Sequence, residues 1–254
     1  VGGQTKEGCV VTRVLGIDIG GSGMKAAVVD TTTGEFMSER FRIETPKPAT
    51  PGTMADVVRQ LAEHFDWKGP VGVGFPGVVQ GGIIRTAANL DNSWVDVDGD
   101  AVFTKAAGCD VVVINDADAA GLAEARFGAG EGVAGVVILL TLGTGIGSAI
   151  IVDGTLVPNT EFGHLMMGKQ IAEDRASSRA KEDLDLSFKA WGKELSLVLQ
   201  EMEKLFWPNL FILGGGISKS FAKFEEHLSD VRTPVVPAER LNRAGIVGAA
   251  LAHE

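Results

Sequence analysis

Three short segments of this 254-residue chain combine residue types that can do chemistry together. Two are glycine-rich turns between apolar runs, Asp18-Ile19-Gly20-Gly21-Ser22-Gly23 and Leu142-Gly143-Thr144-Gly145-Ile146-Gly147. Glycine lets the backbone approach an anion closely, and a turn can aim several N–H groups at one phosphate. Ser22 and Thr144 add hydroxyl donors, and Lys25 offers charge neutralisation. Asp18, at the end of the first strand, can hold Mg²⁺ beside phosphates, directly or through water. The third segment is Asn115-Asp116, which follows the apolar run 111–114. A carboxylate at a strand end can take the proton of an attacking hydroxyl while the neighbouring amide orients the same substrate. An aspartate with an ordinary pKa of about 3.9 is ionised at neutral pH and is a weak base, which suffices when proton removal accompanies attack on phosphorus. On residue types alone Asp118 is an equal candidate, and Asn115 reads equally well as the cap of a helix beginning at Ala117. Glu161 and His164, three residues apart, can both grip sugar hydroxyls if they share a loop or a first helical turn.

The two turns repeat each other. Asp18-Ile19-Gly20 and Asp30 align with Thr141-Leu142-Gly143 and Asp153 at a constant offset of 123 residues. Each copy reads strand, glycine-rich turn, strand, aspartate, which predicts two similar α/β lobes facing each other over a cleft, with a boundary near 116–120. Other phosphate motifs fit less well. Gly163-His164-Leu165-Met166-Met167-Gly168-Lys169 has the front of a P-loop, but Gln170 stands where Ser or Thr should hold magnesium, and no strand feeds it. Gly143, Gly145 and Gly147 lack the spacing of a dinucleotide fingerprint, and a strand follows where that motif needs a helix.

The remaining sequence supplies the elements that must position these residues. Strands are expected over 10–17, 24–29, 36–43, 71–75, 111–114, 136–140, 146–152 and 210–213. Helices are expected from Pro51-Gly52 through Phe65, over 117–127, along a stripe of Trp191, Leu195, Val198, Met202 and Leu205, and over 218–228 and 243–253. Residues 1–8 read as a loose tail. Segment 133–152 is uncharged and long enough to span a membrane, but its glycines and threonines make a buried hairpin the better reading. The 34 glycines, about 13% against roughly 7% in ordinary proteins, require turns or ligand loops. A net charge of −10 disfavours nucleic acid but not small anions held by backbone amides. No secretory signal pattern is found, and two cysteines, Cys9 and Cys109, suit a reducing cytoplasm. His64, His227 and His253 lack metal-ligand spacing, so no structural zinc is expected.

Taken in order and spacing, these segments resemble the ROK family of sugar kinases, within the actin and sugar-kinase ATPase superfamily. The resemblance covers nearly the whole chain after about residue 11. It implies duplicated actin-like ATPase lobes of the ribonuclease H-like α/β type around a central cleft: 10–118, 119–240, and a C-terminal helix in 241–254 packing back on the first lobe. It implies that Gly20, Gly21, Ser22, Gly23, Lys25, Gly143, Thr144 and Gly145 hold phosphates, that Gly214, Gly215 and Gly216 lie against a nucleotide, and that Asp116, rather than Asp118, is the general base. Gly77, Asn89, Asn115, Asp116, Glu161, His164 and Glu173 match sugar-binding positions. One departure is informative. Most members carry a cysteine-rich zinc loop after the Glu-x-Gly-His motif, whereas here residues 166–175 contain no sulfur that can ligate zinc through a thiolate. That form is similar to the polyphosphate-dependent glucokinase branch, which implies transfer from polyphosphate or ATP, with Mg²⁺, to the C6 hydroxyl of glucose and in some members mannose. Lys169, Arg175, Arg179 and Lys181 could extend a basic track for a polyanion, or form a plain solvated helix face. An N-acetylhexosamine kinase, a non-catalytic sugar sensor and an acyl phosphate kinase are the alternatives. A repressor with an N-terminal helix-turn-helix is not expected, because too few residues precede the first strand. Monomer and homodimer stay equally open.

Overall fold

The computed structural model describes residues 12–87 and 90–253. Apolar residues at alternate positions make β1 (Arg13–Gly20), which reverses at Gly21-Ser22 into β2 (Gly23–Asp30), paired antiparallel from Arg13↔Asp30 to Gly20↔Gly23. Two short strands, β3 (Glu35–Phe36) and β4 (Phe41–Ile43), both pair with β2. The expected single strand over 36–43 is therefore split. Ser38 interrupts it, because its hydroxyl accepts the Val28 N–H that a continuing strand would have taken. Helix α1 (Pro51–His64) starts with proline in its first turn and a reciprocal Thr50–Thr53 capping box, and it buries Met54, Val57, Val58 and Leu61.

Strand β5 (Val71–Phe75) is buried at every position and runs parallel to β1. After the hairpin of β6 (Val79–Gln80) and β7 (Ile83–Ile84) comes α2 (Gly99–Ala107), then β8 (Val111–Asn115), parallel to β5. Helix α3 (Asp116–Phe127) leads into a second sheet. It contains β9 (Val136–Leu142), β10 (Ile146–Val152), β11 (Thr155–Val157) and, after further elements, β14 (Leu210–Gly214) and β15 (Val235–Pro237). Strands β9 and β10 begin 123 residues after β1 and β2. The first sheet has the order β3-β2-β1-β5-β8 and the second β11-β10-β9-β14-β15; in both, antiparallel pairing gives way to parallel pairing at the same place. The chain is thus an α/β protein with two mixed sheets flanked by helices. The uncharged run 133–152 is the β9–β10 hairpin, and among the described residues no helix is long and apolar enough to cross a membrane.

Between these strands the would-be P-loop segment folds as a 3₁₀ turn and a small hairpin, β12 (Met166–Met167) and β13 (Gln170–Ile171), then α4 (Ala172–Ala176) and α5 (Ser178–Asp183). Helix α6 (Phe188–Phe206) buries Trp191, Leu195, Val198 and Met202 as the spacing predicts, but Leu205, expected on the same stripe, is exposed in the last turn. The expected helix over 218–228 does not form. Two 3₁₀ stretches, Gly216–Lys223 and Glu225–Leu228, flank Phe224, whose ring is fully buried edge-on to Trp191 at 4.9 Å. Seating that ring takes its backbone out of helical geometry. The last helix, α7 (Ala244–Leu251), is shorter than expected and packs on α3, β1 and β5. The expected tail at 1–8 and Cys9 lie outside the described residues; Cys109 is buried and unpaired.

The glycine excess has a third use that the sequence reading lacked. A methyl group on Gly248 would overlap the Ala119 carbonyl, one on Gly72 the Ala249 carbonyl, and one on Gly16 the Ile246 carbonyl. Helix α7 therefore lies backbone to backbone against α3 and the first sheet, and a shared core of Val14, Val29, Leu139, Ile151 and Ile246 fills the space between the sheets. Gly248→Ala is expected to destabilise the fold by roughly 1–3 kcal/mol or more, because a backbone carbonyl cannot rotate aside as a side chain can. A calorimetric midpoint unchanged from the parent chain would refute this account of the packing.

Candidate functional site

Strand order brings the chemistry-bearing segments to one place. The ends of β1, β8 and β9 surround a cleft of about 990 Å³, lined by Gly20, Gly21, Gly77, Asn115, Asp116, Gly143, Thr144, Gly145, Glu161, His164, Glu173 and Gly215. A smaller cavity of about 220 Å³ shares Asp116, Thr141 and Gly215 with it and adds Asp18, Lys25, Gly214, Gly216, Lys219 and Asn242. Gly143, Thr144 and Gly216 also line a third, of about 620 Å³. Ser22 and Gly23 line none of these cavities. Instead the Ser22 carbonyl accepts a hydrogen bond from Arg42 at 2.6 Å, and Gly23 lies beneath the same guanidinium. Asn89 lies outside the described residues.

Asn115 is buried, and its side chain is occupied on three sides. Its Oδ1 accepts the N–H groups of Ala117 and Asp118, each at 2.9 Å, capping α3, while Nδ2 donates to the Gly77 carbonyl at 3.0 Å. The capping reading and the cleft reading are both realised, with the amide acting mainly on the protein itself. Asp116, the first residue of α3, lines two cavities, and its pKa is pushed up to about 7, by burial first and then by the like charges of Asp18 and Glu161. Asp118 lines none of these three cavities. It has no solvent exposure, its Oδ2 accepts the Asn159 N–H at 2.7 Å, and burial pushes its pKa up to about 6. The geometry separates two aspartates that residue type alone left equal.

Glu161 and His164 sit at opposite ends of one 3₁₀ turn, 4.0 Å apart at the nearest atoms, and both face the cleft. Burial raises the Glu161 pKa, His164 lowers it and Glu173 raises it again. Glu173, in the first turn of α4, accepts the Ile146 N–H at 3.3 Å, and its carboxylate packs against Gly145 and Gly163. In the first turn, Asp18 pairs with Lys25 at 3.1 Å and the Thr45 hydroxyl donates to the Gly20 carbonyl at 2.5 Å. In the second, Gly143 N–H is taken by Gly145 O at 3.0 Å. Gly215 has a positive φ of 84° and sits so close to Leu142 that only glycine fits. Of the proposed basic track, Arg175 is bound to Glu194 at 2.8 Å, Arg179 to Asp183 at 3.4 Å, and Lys181 lies over the Phe188 ring at 4.5 Å. Arg42 and Thr45 escaped the sequence reading; only their pairing with the first turn, 20 and 25 residues away, marks them.

The ROK family model matches residues 14–177, which include both glycine turns, Asp116 and the Glu161–His164 turn. The chain belongs to the ROK family. It is 51% identical over 239 residues to polyphosphate glucokinase of Mycobacterium tuberculosis, covering 94% of this chain and 90% of that protein. The solved inorganic polyphosphate/ATP-glucomannokinase of Arthrobacter sp. strain KM is 49% identical and superimposes with a TM-score of 0.89 over 94% of this chain and 97% of that one. A ROK family glucokinase from Streptomyces griseus, solved with glucose and AMPPNP, is 28% identical, with a TM-score of 0.80 over 94% of this chain and 98% of that one.

The raised Asp116 pKa also bears on stability. Below pH 4 the carboxyl is neutral in folded and unfolded chains alike; above pH 7 it is charged in both and the folded state bears the full cost of its burial. Asp116→Asn is therefore expected to raise the melting temperature by several degrees at pH 8, with the gain shrinking towards pH 4. A gain that grew as the pH fell would reverse the sign of this argument.

Proposed function

We propose that this ROK protein transfers a phosphoryl group from polyphosphate or ATP to the C6 hydroxyl of glucose, and of mannose as a second acceptor. The carrying observation is the position of Asp116, whose carboxylate lines the same cleft as the two glycine turns and the Glu161–His164 turn. The names of the relatives support the acceptor and donors. The two sheets of matching order, taken as duplicated actin-like ATPase lobes of the ribonuclease H-like type, support a cleft between lobes in which such transfer takes place. We assign the lobes to 10–118 and 119–240, with 241–254 returning to the first. A cytoplasmic location accords with the low cysteine content.

In this reading Glu161, His164 and Glu173 accept and donate hydrogen bonds to the sugar hydroxyls, and Asn115, through Gly77, shapes the wall they face. Asp116 accepts the C6 hydroxyl proton as that oxygen bonds to the terminal phosphorus; the bridging P–O bond breaks and the shortened donor leaves with the electron pair. Amides of Gly20, Gly21, Thr144 and Gly145 hold the donor, Lys25 offsets charge, and Gly214–Gly216 border a nucleotide. Among the described residues no group of three or more His, Cys, Asp or Glu side chains can hold a metal alone. Asp18 fits the usual Mg²⁺ arrangement, in which one or two carboxylates share the ion with substrate phosphates. When bound there, Mg²⁺ would neutralise phosphate charge.

Three measurements test this. A matrix of glucose, mannose and N-acetylmannosamine against ATP and polyphosphate, with and without Mg²⁺, is expected to give hexose phosphate from the first two; transfer only to the acetylated sugar would refute the acceptor assignment. Asp116→Ala is expected to lower kcat by about 10²–10⁴-fold while hexose still binds in calorimetry; a loss under about tenfold would remove Asp116 as the base. In the parent enzyme, kcat/KM for hexose is expected to rise with pH through about 7 as Asp116 ionises. A profile flat from pH 5 to 8 would contradict that role.

A further inference from the structure

We propose that Asn159, anchored by Asp118, is a positioning residue that holds the hexose pocket together by tying the loop bearing Glu161 and His164 to the hairpin that follows Gly77. The inference rests on the hexokinase reading of the cleft. Asn159 precedes Glu161 by two residues and adopts a left-handed backbone, φ 59°, which asparagine tolerates. Its side chain meets Val79 as a strand partner would: Oδ1 accepts the Val79 N–H at 2.8 Å, and Nδ2 donates to the Val79 carbonyl at 2.7 Å. Val79 opens β6, two residues after Gly77, and the two partners are 80 residues apart in the chain. The backbone N–H of Asn159 donates to Asp118 Oδ2 at 2.7 Å. Next to it, the Thr160 carbonyl accepts the Ser148 hydroxyl at 2.7 Å, fixing the other side of the loop.

Asp118 is the unexpected member. It is fully buried, and its Oδ1 has no hydrogen-bond partner in the structure. A buried carboxylate with a bare oxygen destabilises a fold, and the same helix fills neighbouring buried positions with Ala119 and Ala120. Packing alone does not call for an acid here; holding Asn159 does. The opposite rim has ties of its own: Arg42 to the Ser22 carbonyl, Thr45 to the Gly20 carbonyl, and the Arg179 N–H to the Gly143 carbonyl at 3.1 Å. At Gly21, Gly143 and Gly216 no atom beyond the adjacent residues lies within 4 Å of where a side chain would begin. None of the rim's bonds involves Asn159 or Asp118, so the clasp acts on the acceptor end of the cleft.

Asn159→Gly removes the carboxamide while keeping a left-handed backbone accessible. It is expected to weaken glucose binding in calorimetry, and to raise KM for glucose, by about tenfold, with kcat and KM for ATP and polyphosphate within about threefold of the parent. Asp118→Ala is expected to reproduce that split, and Asp118→Asn, which keeps an oxygen for the Asn159 N–H, to restore most of the sugar affinity. The pair keeps the test open if the glycine variant folds poorly. Unchanged glucose affinity in Asn159→Gly, or sugar and donor KM rising together, would overturn the clasp. A parent chain that makes no hexose phosphate would instead sink the functional reading. The clasp is then decided by backbone hydrogen exchange, which must rise together at 77–80 and 159–164 in Asn159→Gly and is overturned if either segment stays protected.

Discussion

The site depends on a single buried amide. Asn115 ends β8 and begins α3, and its side chain satisfies two helix N–H groups and the Gly77 carbonyl at once. An N-cap sets where a helix starts and the direction in which it leaves the strand, so Asn115 sets the position of Asp116, the very next residue. The bond to Gly77 extends this control across to β5, because Gly77 follows that strand by two residues. Strand end, helix start and the Gly77 loop are thus one hydrogen-bonded unit, with Asp116 at its centre.

The rest of the architecture keeps that unit rigid. Helix α3 lies between the sheets with α7, and the contacts at Gly248, Gly72 and Gly16 are so close that neither helix can slide without displacing backbone. At the far end of α3, Glu124 accepts the N–H groups of Ala129, Glu239 and Arg240, joining the helix to the approach to α7. Glu124, answered by three amides, is a structural tie, whereas Asp116 lies beside the like charges of Asp18 and Glu161 with its pKa raised.

Much of this was legible in the residues because local rules govern it. Glycine turns between apolar runs, the constant offset of the two copies and the periodic stripe on α6 all report on neighbours within a few positions, and those elements formed as expected. What stayed illegible depends on distant partners. Nothing near Phe224 warns that its ring will enter the Trp191 cluster and break a helix. Nothing near Gly248 shows that it faces Ala119, and Asn159 reads as a loop residue until Val79 is seen beside it. Ser22 and Gly23 show the converse: they sit in a recognisable turn, yet Arg42 occupies their side of it.

The acidity of the cleft carries a kinetic consequence. Asp18, Asp116, Glu161 and Glu173 border the cleft and the cavity beside it, in a chain whose net charge is −10. Diffusional approach of a bare phosphate polymer to this border is therefore opposed by like charge. Mobile ions shorten the range of that repulsion, so moderate ionic strength accelerates the encounter, the reverse of what a basic polyanion-binding groove would display.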